Sequence, residues 1–325
     1  MSCSVSDSAT VLEVEHETGY GYATPVTQAQ HLAHLKPLHD ARQQLLMHEL
    51  QIQPLPAQVL HDVDIYGNAR TLISLVQPHR ELRVLARSRV ALAPRAAPVD
   101  AAHSPRWEDV RARLRYEAGA RYDPAVEFAQ PSPYVPRLHA LRDYGQASFA
   151  AGMPVALCAL DLMHRIHADF EFKAASTDVD TPLIEAFEQR AGVCQDFAHL
   201  MIAALRMAGL AARYVSGYLL TTAPEDGHAL LGADASHAWV QVWCPGTPGV
   251  PQEGAAAGWL DLDPTNDLVP GAGHVRVAIG RDFGDVTPLR GVIRGGGGSH
   301  TLSVAVSTRL ADAGPRVASV NLQES

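Results

Sequence analysis

The sequence predicts an α+β protein whose N-terminal part is an antiparallel β domain. Several segments within residues 11–92 alternate apolar and polar side chains, as strands with one wet face do. Residues 93–106 have the Pro- and Ala-rich composition of a linker. Helical patterns follow the linker, and strand patterns follow the helices. We therefore expect a β-rich domain over 1–100 and a second domain over 101–325 that ends in C-terminal strands.

The composition excludes several classes of protein. The chain has 325 residues, of which 47% are hydrophobic and 19% are charged, so it can bury a core and is not wholly disordered. Its formal net charge is −9, whereas nucleic-acid binders usually carry a basic patch or stripe. We therefore expect no nucleic-acid partner.

The sequence also gives an expectation for location. No stretch of 18 apolar residues lacks charges, so we expect no membrane span and no membrane partner. The first seven residues have neither the basic nor the apolar region of a signal peptide. We therefore expect a cytoplasmic protein. The sequence leaves its oligomeric state open.

The N-terminal domain has two informative segments. Residues 64–70 predict a hairpin with Gly67 and Asn68 at its turn. Residues 82–92 predict a strand with one mostly apolar face and one face that carries arginines. An arginine face could bind an acidic partner, but a solvated strand face is the more common meaning of such a pattern.

The second domain begins with helical patterns over about 107–116, 139–150, 154–168 and 183–190. A further helix is predicted from Cys194 to Gly209, because its apolar residues recur at helical spacing and glycine ends helices well. A loop is predicted over 224–236 and a flexible tip over 295–299. Strands are predicted at 213–220, 237–243, 258–262, 275–279 and 302–308.

One of four cysteines stands where a helix begins. The four are Cys3, Cys158, Cys194 and Cys244, and none forms a Cys-x-x-Cys pair, which argues against a thiolate zinc site. A thiol at a helix N-terminus is stabilised as thiolate by the helix dipole and unpaired N–H groups. The same N–H groups can stabilise an oxyanion. Cys194 is therefore a candidate nucleophile, although an isolated cysteine is more often a packed core thiol.

A base and an acid follow along the chain. His237 begins a strand in which residues 237, 239, 241 and 243 share one face, which could line a cleft. Asp261 and Asp263 share a face of a later strand, and either could orient the imidazole. The order is Cys, His, Asp. Strand alternation alone does not choose between the two aspartates.

Three sequence blocks together resemble the transglutaminase-like superfamily. They are Gly192-Val193-Cys194-Gln195-Asp196, Ser236-His237-Ala238-Trp239, and Gly258-Trp259-Leu260-Asp261-Leu262-Asp263-Pro264-Thr265. The resemblance implies a papain-like α+β core and a catalytic triad of Cys194, His237 and Asp263, since the family's acid precedes a small residue and Thr. The N-terminal part resembles the β-rich domain of bacterial members, through motifs such as Asp64-Ile65-Tyr66-Gly67-Asn68. The resemblance covers roughly residues 11–308.

The resemblance implies acyl transfer at an amide through a thioester. The same triad serves a peptidase or amidase, with water as the acceptor, and a protein-glutamine transamidase, with an amine as the acceptor. We favour hydrolysis of a peptide or protein substrate, because water is always available and no lysine tunnel is indicated. Other hypotheses are a non-catalytic peptide-binding scaffold on the same fold and an acyltransferase that uses coenzyme-linked acyl groups.

Other polar residues have competing interpretations. His199 lies about 140° around the helix from Cys194, so it is a poor base. His164 and His167, like His31 and His34, have a spacing that metals use, but no third ligand is indicated. We therefore expect no metal and no cofactor.

Three acidic or basic residues near the blocks remain to be placed. Asp196 in the first helical turn is interpreted as structural. Arg281 and Asp282 either line the substrate cleft or form an internal ion pair.

Overall fold

A computed structural model of the chain describes residues 9–94, 97–119, 122–174, 176–221, 230–232 and 236–311. Most of the predicted loop over 224–236 lies outside the described residues, as does Cys3. Among the helices of the described part, none is long and apolar enough to cross a membrane.

The N-terminal half folds into an antiparallel sheet. Its strands run in the order β2-β5-β1-β4-β3, where β1 is Thr10–Ala33, β2 is Gln43–Gln53, β3 is Gln58–Val63, β4 is Ala69–Leu75 and β5 is His79–Leu92. The predicted hairpin turn connects β3 to β4, with Val63 paired to Ala69. The sheet encloses its own apolar cluster, built around Val26, Ile73 and Leu82.

The arginine face of β5 lies beside glutamates of β1. Arg83 and Arg87 form ion pairs with Glu17 and Glu15, their neighbours across the sheet. All four side chains are largely exposed. The face is therefore a solvated strand surface whose charges alternate in sign between strands.

The C-terminal strands join this N-terminal sheet. Strands β12 (Leu289–Gly295) and β13 (His300–Leu310) both pair antiparallel with the long strand β1. The sequence analysis assigned these strands to the second domain, because they follow its core along the chain. Their hydrogen bonds instead place them in the first sheet, so the chain leaves the N-terminal sheet and returns to it.

The second half contains the helices and a separate sheet. The described helices are α1 (Trp107–Arg113), α2 (His139–Gln146), α3 (Val155–Asp169), α4 (Leu183–Gln189), α5 (Cys194–Met207) and α6 (Phe283–Val286), with short 3₁₀ helices at Ala101–His103 and Pro124–Ala129. Two short strands, β6 (Glu171–Phe172) and β7 (Ala191–Gly192), pair in parallel. The predicted α+β class, with an N-terminal antiparallel sheet, is confirmed.

Four strands form the second sheet, in the order β10-β9-β8-β11. They are β8 (Ala212–Leu219), β9 (His237–Trp243), β10 (Trp259–Leu262) and β11 (His274–Gly280). Helix α5 packs against β8 and β9. Ala238, Val240 and Val242 point into the main core, as the alternation predicts. This packing places the start of α5 near the first residue of β9 and the last residue of β10.

The other face of this sheet meets the N-terminal half. Trp239 is fully buried there and packs with Val215, Ile279 and Leu38. Leu38 precedes β2, so it belongs to the N-terminal half of the chain. This second sheet is thus covered by α5 on one side and by the 34–43 segment on the other.

Candidate active site

Cys194 is the first residue of α5. Val193 precedes it in extended conformation, and its N–H donates to Asp196 Oδ2 at 2.8 Å. Thr177 donates to the same oxygen at 2.6 Å. Burial raises the pKa of the Asp196 carboxyl, although these two hydrogen bonds oppose the rise. Asp196 therefore caps the helix start, which agrees with its structural interpretation, and Cys194 stays half-buried beside it.

Gly192 is required by the close approach of this cap. A Cβ at residue 192 would lie only 2.7 Å from Asp196 Cβ and Oδ2. A side chain there would displace Asp196 and with it the first turn of α5. The Gly-Val-Cys-Gln-Asp block is therefore one local structure, in which the glycine leaves room for the carboxylate that orders the turn of Cys194.

His237 and Asp263 form a fully buried pair. His237 Nε2 donates to Asp263 Oδ2 at 2.9 Å, and neither side chain is exposed. His237 Nδ1 is buried and has no hydrogen-bond partner among the described residues. Because Nε2 is engaged by the carboxylate, Nδ1 is the ring atom that is available to a reacting group.

Burial and charge act against each other at this histidine. Burial by itself lowers the pKa of His237, but the Asp263 carboxylate raises it, and Cys194 raises it further through its side chain. The result is a pKa of about 10. Burial would raise the pKa of Asp263, but His237 and His274 hold it well below its ordinary value. A protonated imidazole over an ionised carboxylate is therefore the favoured state at neutral pH.

Asp263 is held by the turn that follows it. The N–H groups of Thr265 and Asn266 donate to Oδ1 at 3.0 and 3.2 Å, and Asn266 Nδ2 donates to Oδ2 at 2.8 Å. His274 Nε2 lies 3.2 Å from Oδ2 as well. This second histidine was missed by the sequence analysis. Its only sequence signal is that it begins a strand, as His237 does.

Two family models match the chain. The model of the bacterial transglutaminase-like N-terminal region matches residues 12–91, and that of the transglutaminase-like superfamily matches residues 150–264. The second range contains Cys194, His237 and Asp263. The chain belongs to the transglutaminase-like superfamily. The resemblance read from the sequence is thereby confirmed.

Relatives from mycobacteria match this superfamily member over most of its length. An uncharacterised protein of Mycobacterium tuberculosis is 38% identical over 296 residues, which are 90% of each chain. An uncharacterised protein of Mycobacterium leprae is 30% identical over 306 residues, 92% of this chain and 99% of the relative. A crystal structure of an inferred cysteine protease from Cytophaga hutchinsonii has a TM-score of 0.68 at 20% identity, covering 94% of this chain and 92% of that one. This structural likeness shows the shared fold.

Asp261, the other candidate acid, bonds to a different set of groups. Trp239 Nε1 and Gln241 Nε2 donate to its Oδ1 at 3.0 and 2.8 Å. Arg42, from the N-terminal half, forms an ion pair with its Oδ2. Burial raises the pKa of Asp261, but Arg42, Arg276 and the hydrogen bonds outweigh burial and lower it to about 2. Strand alternation does put both aspartates on one face, but only Asp263 contacts the imidazole.

The histidine on α5 is not near the imidazole's free nitrogen. His199 is buried, accepts a hydrogen bond from the Phe283 N–H at 3.2 Å, and stacks on Tyr134. Burial lowers its pKa to about 3. It therefore packs inside the core.

Arg281 and Asp282 pair with other residues. Arg281 forms an ion pair with Asp285, while buried Asp282 accepts hydrogen bonds from the N–H groups of Tyr134 and Gly284. Arg281 thus forms an ion pair, which is one of the two interpretations left open for it, but its partner is Asp285, because the short helix α6 turns Asp285 back toward Arg281. Asp282 instead lies just before α6, and its side chain caps the N-terminus of that helix.

The two histidines of α3 contact the turn that holds Asp263. His164 Nδ1 bonds to Asp267 Oδ1, and His167 Nδ1 donates to the Thr265 carbonyl at 3.0 Å. In the part of the chain that the structure describes, no group of three His, Cys, Asp or Glu side chains could hold a metal ion. His164 and His167 therefore each form a hydrogen bond to the loop that follows Asp263.

Tyr214 is a further residue that the sequence analysis missed. It lies on β8, is buried, and packs against His199 with ring centroids 5.1 Å apart. Burial raises the pKa of Tyr214 well above its ordinary value, and the charges of Cys194, Asp196 and Asp282 raise it further. It therefore forms part of the wall beside Cys194. Cys158 and Cys244, in contrast, are buried in the core, where desolvation raises both pKa values.

Proposed function

We propose that the protein is a cysteine-dependent amidase that hydrolyses amide bonds in a peptide or protein substrate, with Cys194, His237 and Asp263 as its triad. The observation that carries the proposal is the orientation of His237. Its Nε2 is bonded to Asp263 at 2.9 Å, its Nδ1 has no hydrogen-bond partner in the described part of the chain, and Cys194 is close enough to raise its pKa. This is the nucleophile, base and orienting acid that covalent catalysis needs.

The chemistry follows in two steps. Cys194 Sγ attacks the amide carbon as thiolate, while His237 carries the thiol proton on Nδ1. The tetrahedral intermediate collapses, the C–N bond breaks, and His237 gives that proton to the leaving amine. Water then attacks the thioester, with neutral His237 as its base, and releases the acid and the Cys194 thiol.

The oxyanion is stabilised by donors at the start of α5. The N–H groups of the first helical turn lack partners inside the helix, and the helix dipole makes this end positive. The Cys194 N–H belongs to that turn. Removing one such donor from a protease costs about 10²–10³ in kcat. The nucleophile and an oxyanion donor are thus supplied by the same residue.

A second candidate function is protein-glutamine transamidation. A protein-glutamine gamma-glutamyltransferase of Pseudomonas aeruginosa is 33% identical over 138 residues, which are 42% of this chain and 19% of that protein. The two functions differ only in whether water or an amine attacks the thioester. We favour hydrolysis because water has free access to any site that a peptide can enter.

The test compares products and variants on one substrate. Casein is incubated with the protein and dansylcadaverine; hydrolysis releases peptides or ammonia, whereas transamidation attaches the dansyl group to casein. We expect release to exceed attachment. Cys194→Ala should abolish both product release and dansyl attachment and keep the wild-type circular dichroism spectrum. Cys158→Ala should remain active. Full turnover by Cys194→Ala would refute the proposed nucleophile, and dominant dansyl attachment would favour transamidation.

A thiol probe distinguishes an enzyme from a scaffold. Iodoacetamide should modify Cys194 rapidly at pH 6, because protonated His237 stabilises the thiolate. In His237→Ala the rate of modification at pH 6 should fall, because the imidazolium that stabilises the thiolate is gone. Slow modification of Cys194 at the same rate in both proteins would support a non-catalytic scaffold instead.

A further inference from the structure

A cavity of about 390 Å³ opens at the far end of the catalytic sheet from the triad. We call it the Arg213 cavity. Its volume lies within the range of small-molecule sites, roughly 300–1,000 Å³. The residues that define its chemistry are Phe128, Arg213, Trp243, Gln252, Ala255 and Trp259.

Arg213 is the charged group of this cavity. The residue is only 8% exposed, and its guanidinium stacks on the Trp259 ring at 4.0 Å from the centroid. Its Nε donates to Gln241 Oε1 at 2.7 Å, and its Nη2 makes a long contact of 3.4 Å with the Ala255 carbonyl. Nη1 forms no hydrogen bond to the described residues. The stacking fixes the plane of the guanidinium, and Arg213 lines the cavity.

Arg213 also lacks a carboxylate partner in the described part of the chain. The nearest buried carboxylate in its network is Asp261, which is already paired with Arg42. Arg276 is paired with Asp40 in the same region. Burial lowers the pKa of Arg213 to about 9; Asp261 opposes this effect, but Arg276 and Arg42 add to it. Two buried arginines, Arg213 and Arg276, and the half-buried Arg42 thus share two aspartates, and Arg213 is the one without an ion pair among the described residues.

A buried charge without a counterion is costly. The walls around the Arg213 charge are flat and apolar, because Trp243, Trp259 and Phe128 line the cavity. The one acidic residue among the described lining residues is Asp123, whose half-buried carboxylate accepts the Ala125 N–H and caps a short helix. An anion with a flat apolar body would complement both the charge and the walls.

We propose that the Arg213 cavity binds a small organic carboxylate with a flat apolar body, its carboxylate on the Arg213 guanidinium and its body against Trp243 and Trp259. Arginine presents a planar fork of donors that matches a carboxylate. The aromatic walls supply the apolar contact that typical ligand pockets use. The binding site does not depend on the proposed function, since it includes none of the triad residues.

The cavity is nevertheless connected to the triad by the sheet. Arg213 pairs with Gln241, four residues along β9 from His237, which is roughly 13 Å at ~3.4 Å per residue. Gln241 bridges Arg213 to Asp261, which lies two residues before Asp263 in the same chain segment. A ligand on Arg213 would therefore bond to the same polar network that supports the strand of the triad acid.

The experiment measures binding of phenylacetate to the full-length protein by calorimetry and by saturation-transfer NMR. Phenylacetamide is the neutral control ligand. We expect phenylacetate to bind, phenylacetamide to bind at least about tenfold more weakly, and Arg213→Gln to lose about tenfold or more in phenylacetate affinity. Binding should persist after iodoacetamide has modified Cys194, because the cavity is distinct from the thiol.

Two further variants control for folding. Arg111→Gln changes another arginine that stacks on a tryptophan, Trp107 at 4.6 Å, but lies outside the cavity, and it should bind phenylacetate as the wild type does. Ala255→Phe fills the cavity from an exposed loop position and should abolish binding while Arg213 is kept. Equal binding of the acid and the amide, wild-type affinity in Arg213→Gln or Ala255→Phe, or no binding to the wild type would overturn the proposal.

Discussion

At the scale of single residues, Asp263 is the most constrained carboxylate of the site. Its two oxygens accept from two histidines and from the 265–266 turn. Asp261, two residues earlier, is as deeply buried but accepts from Trp239, Gln241 and Arg42. The short segment 261–263 therefore carries two ionised carboxylates, one on the imidazole and one on a partner from the N-terminal half.

The first prediction concerns which aspartate serves catalysis. Asp263→Asn should keep the fold and lower turnover by about 10⁴-fold, the loss that the same change causes in a serine-protease triad. Asp261→Asn should lose far less turnover, because its carboxylate does not contact His237. Both variants are assayed on one substrate under identical conditions. A larger loss at 261 than at 263 would move the triad acid two residues upstream.

The second prediction is a pH dependence of stability. The pKa of His237 is raised to about 10, so its pairing with Asp263 stabilises the fold fully below ~6.5, its unfolded pKa, and this contribution is lost as pH rises toward 10. Asp263 has a lowered pKa, so its contribution is lost only in acid. Asp263→Asn should therefore lower the free energy of unfolding more at pH 6 than at pH 9. We expect the two losses, measured by urea unfolding, to differ by roughly 1–3 kcal/mol.

A matched control exists in Asp285, which pairs with Arg281. A guanidinium stays charged across this range, so Asp285→Asn should cost the same at pH 6 and pH 9. If the loss in Asp263→Asn were equally independent of pH, the raised histidine pKa would be wrong.

At the scale of elements, β8 and β9 approach each other closely around the site. Gly217 pairs with His237 across the two strands. A Cβ at residue 217 would lie 2.2 Å from the Val275 carbonyl oxygen and 2.4 Å from the Trp239 ring. Trp239 in turn stacks near His237, with ring centroids 6.1 Å apart. The glycine therefore permits the tryptophan that supports the catalytic imidazole.

The third prediction tests this close approach. Gly217→Ala should destabilise the protein by about 1–3 kcal/mol or more, since neither a backbone carbonyl nor a buried indole can yield easily. The control is Gly271→Ala, where a Cβ would meet nothing within 4 Å and the backbone does not require glycine. Thermal unfolding of both variants is the measurement. Equal stabilities would show that β8 and β11 can separate without cost.

Helix α3 acts on the site through a loop. Its His164 and His167 bond to Asp267 and to the Thr265 carbonyl, which belong to the turn after Asp263. The turn after Asp263 therefore positions the Asp263 carboxylate, and helix α3 in turn positions that turn. Precise placement of catalytic groups depends on such supporting contacts.

At the scale of the whole molecule, the two halves share buried polar contacts. Arg42 pairs with Asp261, and Gln43 bonds to the backbone of Arg276 on β11. His16 of β1 also bonds to Tyr218 of β8 at 3.0 Å. The C-terminal strands close the chain back onto β1. The catalytic sheet is thus supported by the N-terminal half.

The fourth prediction is that Arg42→Ala destabilises the protein by about 3–5 kcal/mol, because it leaves the buried Asp261 carboxylate without its ion pair. Arg83→Ala removes an exposed, solvent-screened pair with Glu17 and should leave the stability almost unchanged. Urea unfolding of the two variants beside the wild type is the comparison. Similar costs would mean that solvent, and not Arg42, compensates Asp261.

Much of the second domain could be predicted from the sequence because its signals are local. The start of α5 follows from a glycine, a cap position and helical periodicity within about fifteen residues, and the two catalytic strands follow from alternation. The three blocks named Cys194, His237 and Asp263, and the structure brings the imidazole and the carboxylate of the last two to 2.9 Å. Alternation could not separate Asp261 from Asp263, since both point to one side.

By itself, then, the sequence determined the α+β class, the order of helices and strands and the residues offered for chemistry. Only the tertiary structure decided that β12 and β13 return to β1, that Asp261 pairs with Arg42, that His274 shares the carboxylate of Asp263, and that Arg213 has no ion pair within the described part of the chain. Arg42 and Asp261 are 219 residues apart along the chain. Periodicity and capping act over a few residues, whereas such partners are selected by the packing of whole sheets, which no local pattern encodes.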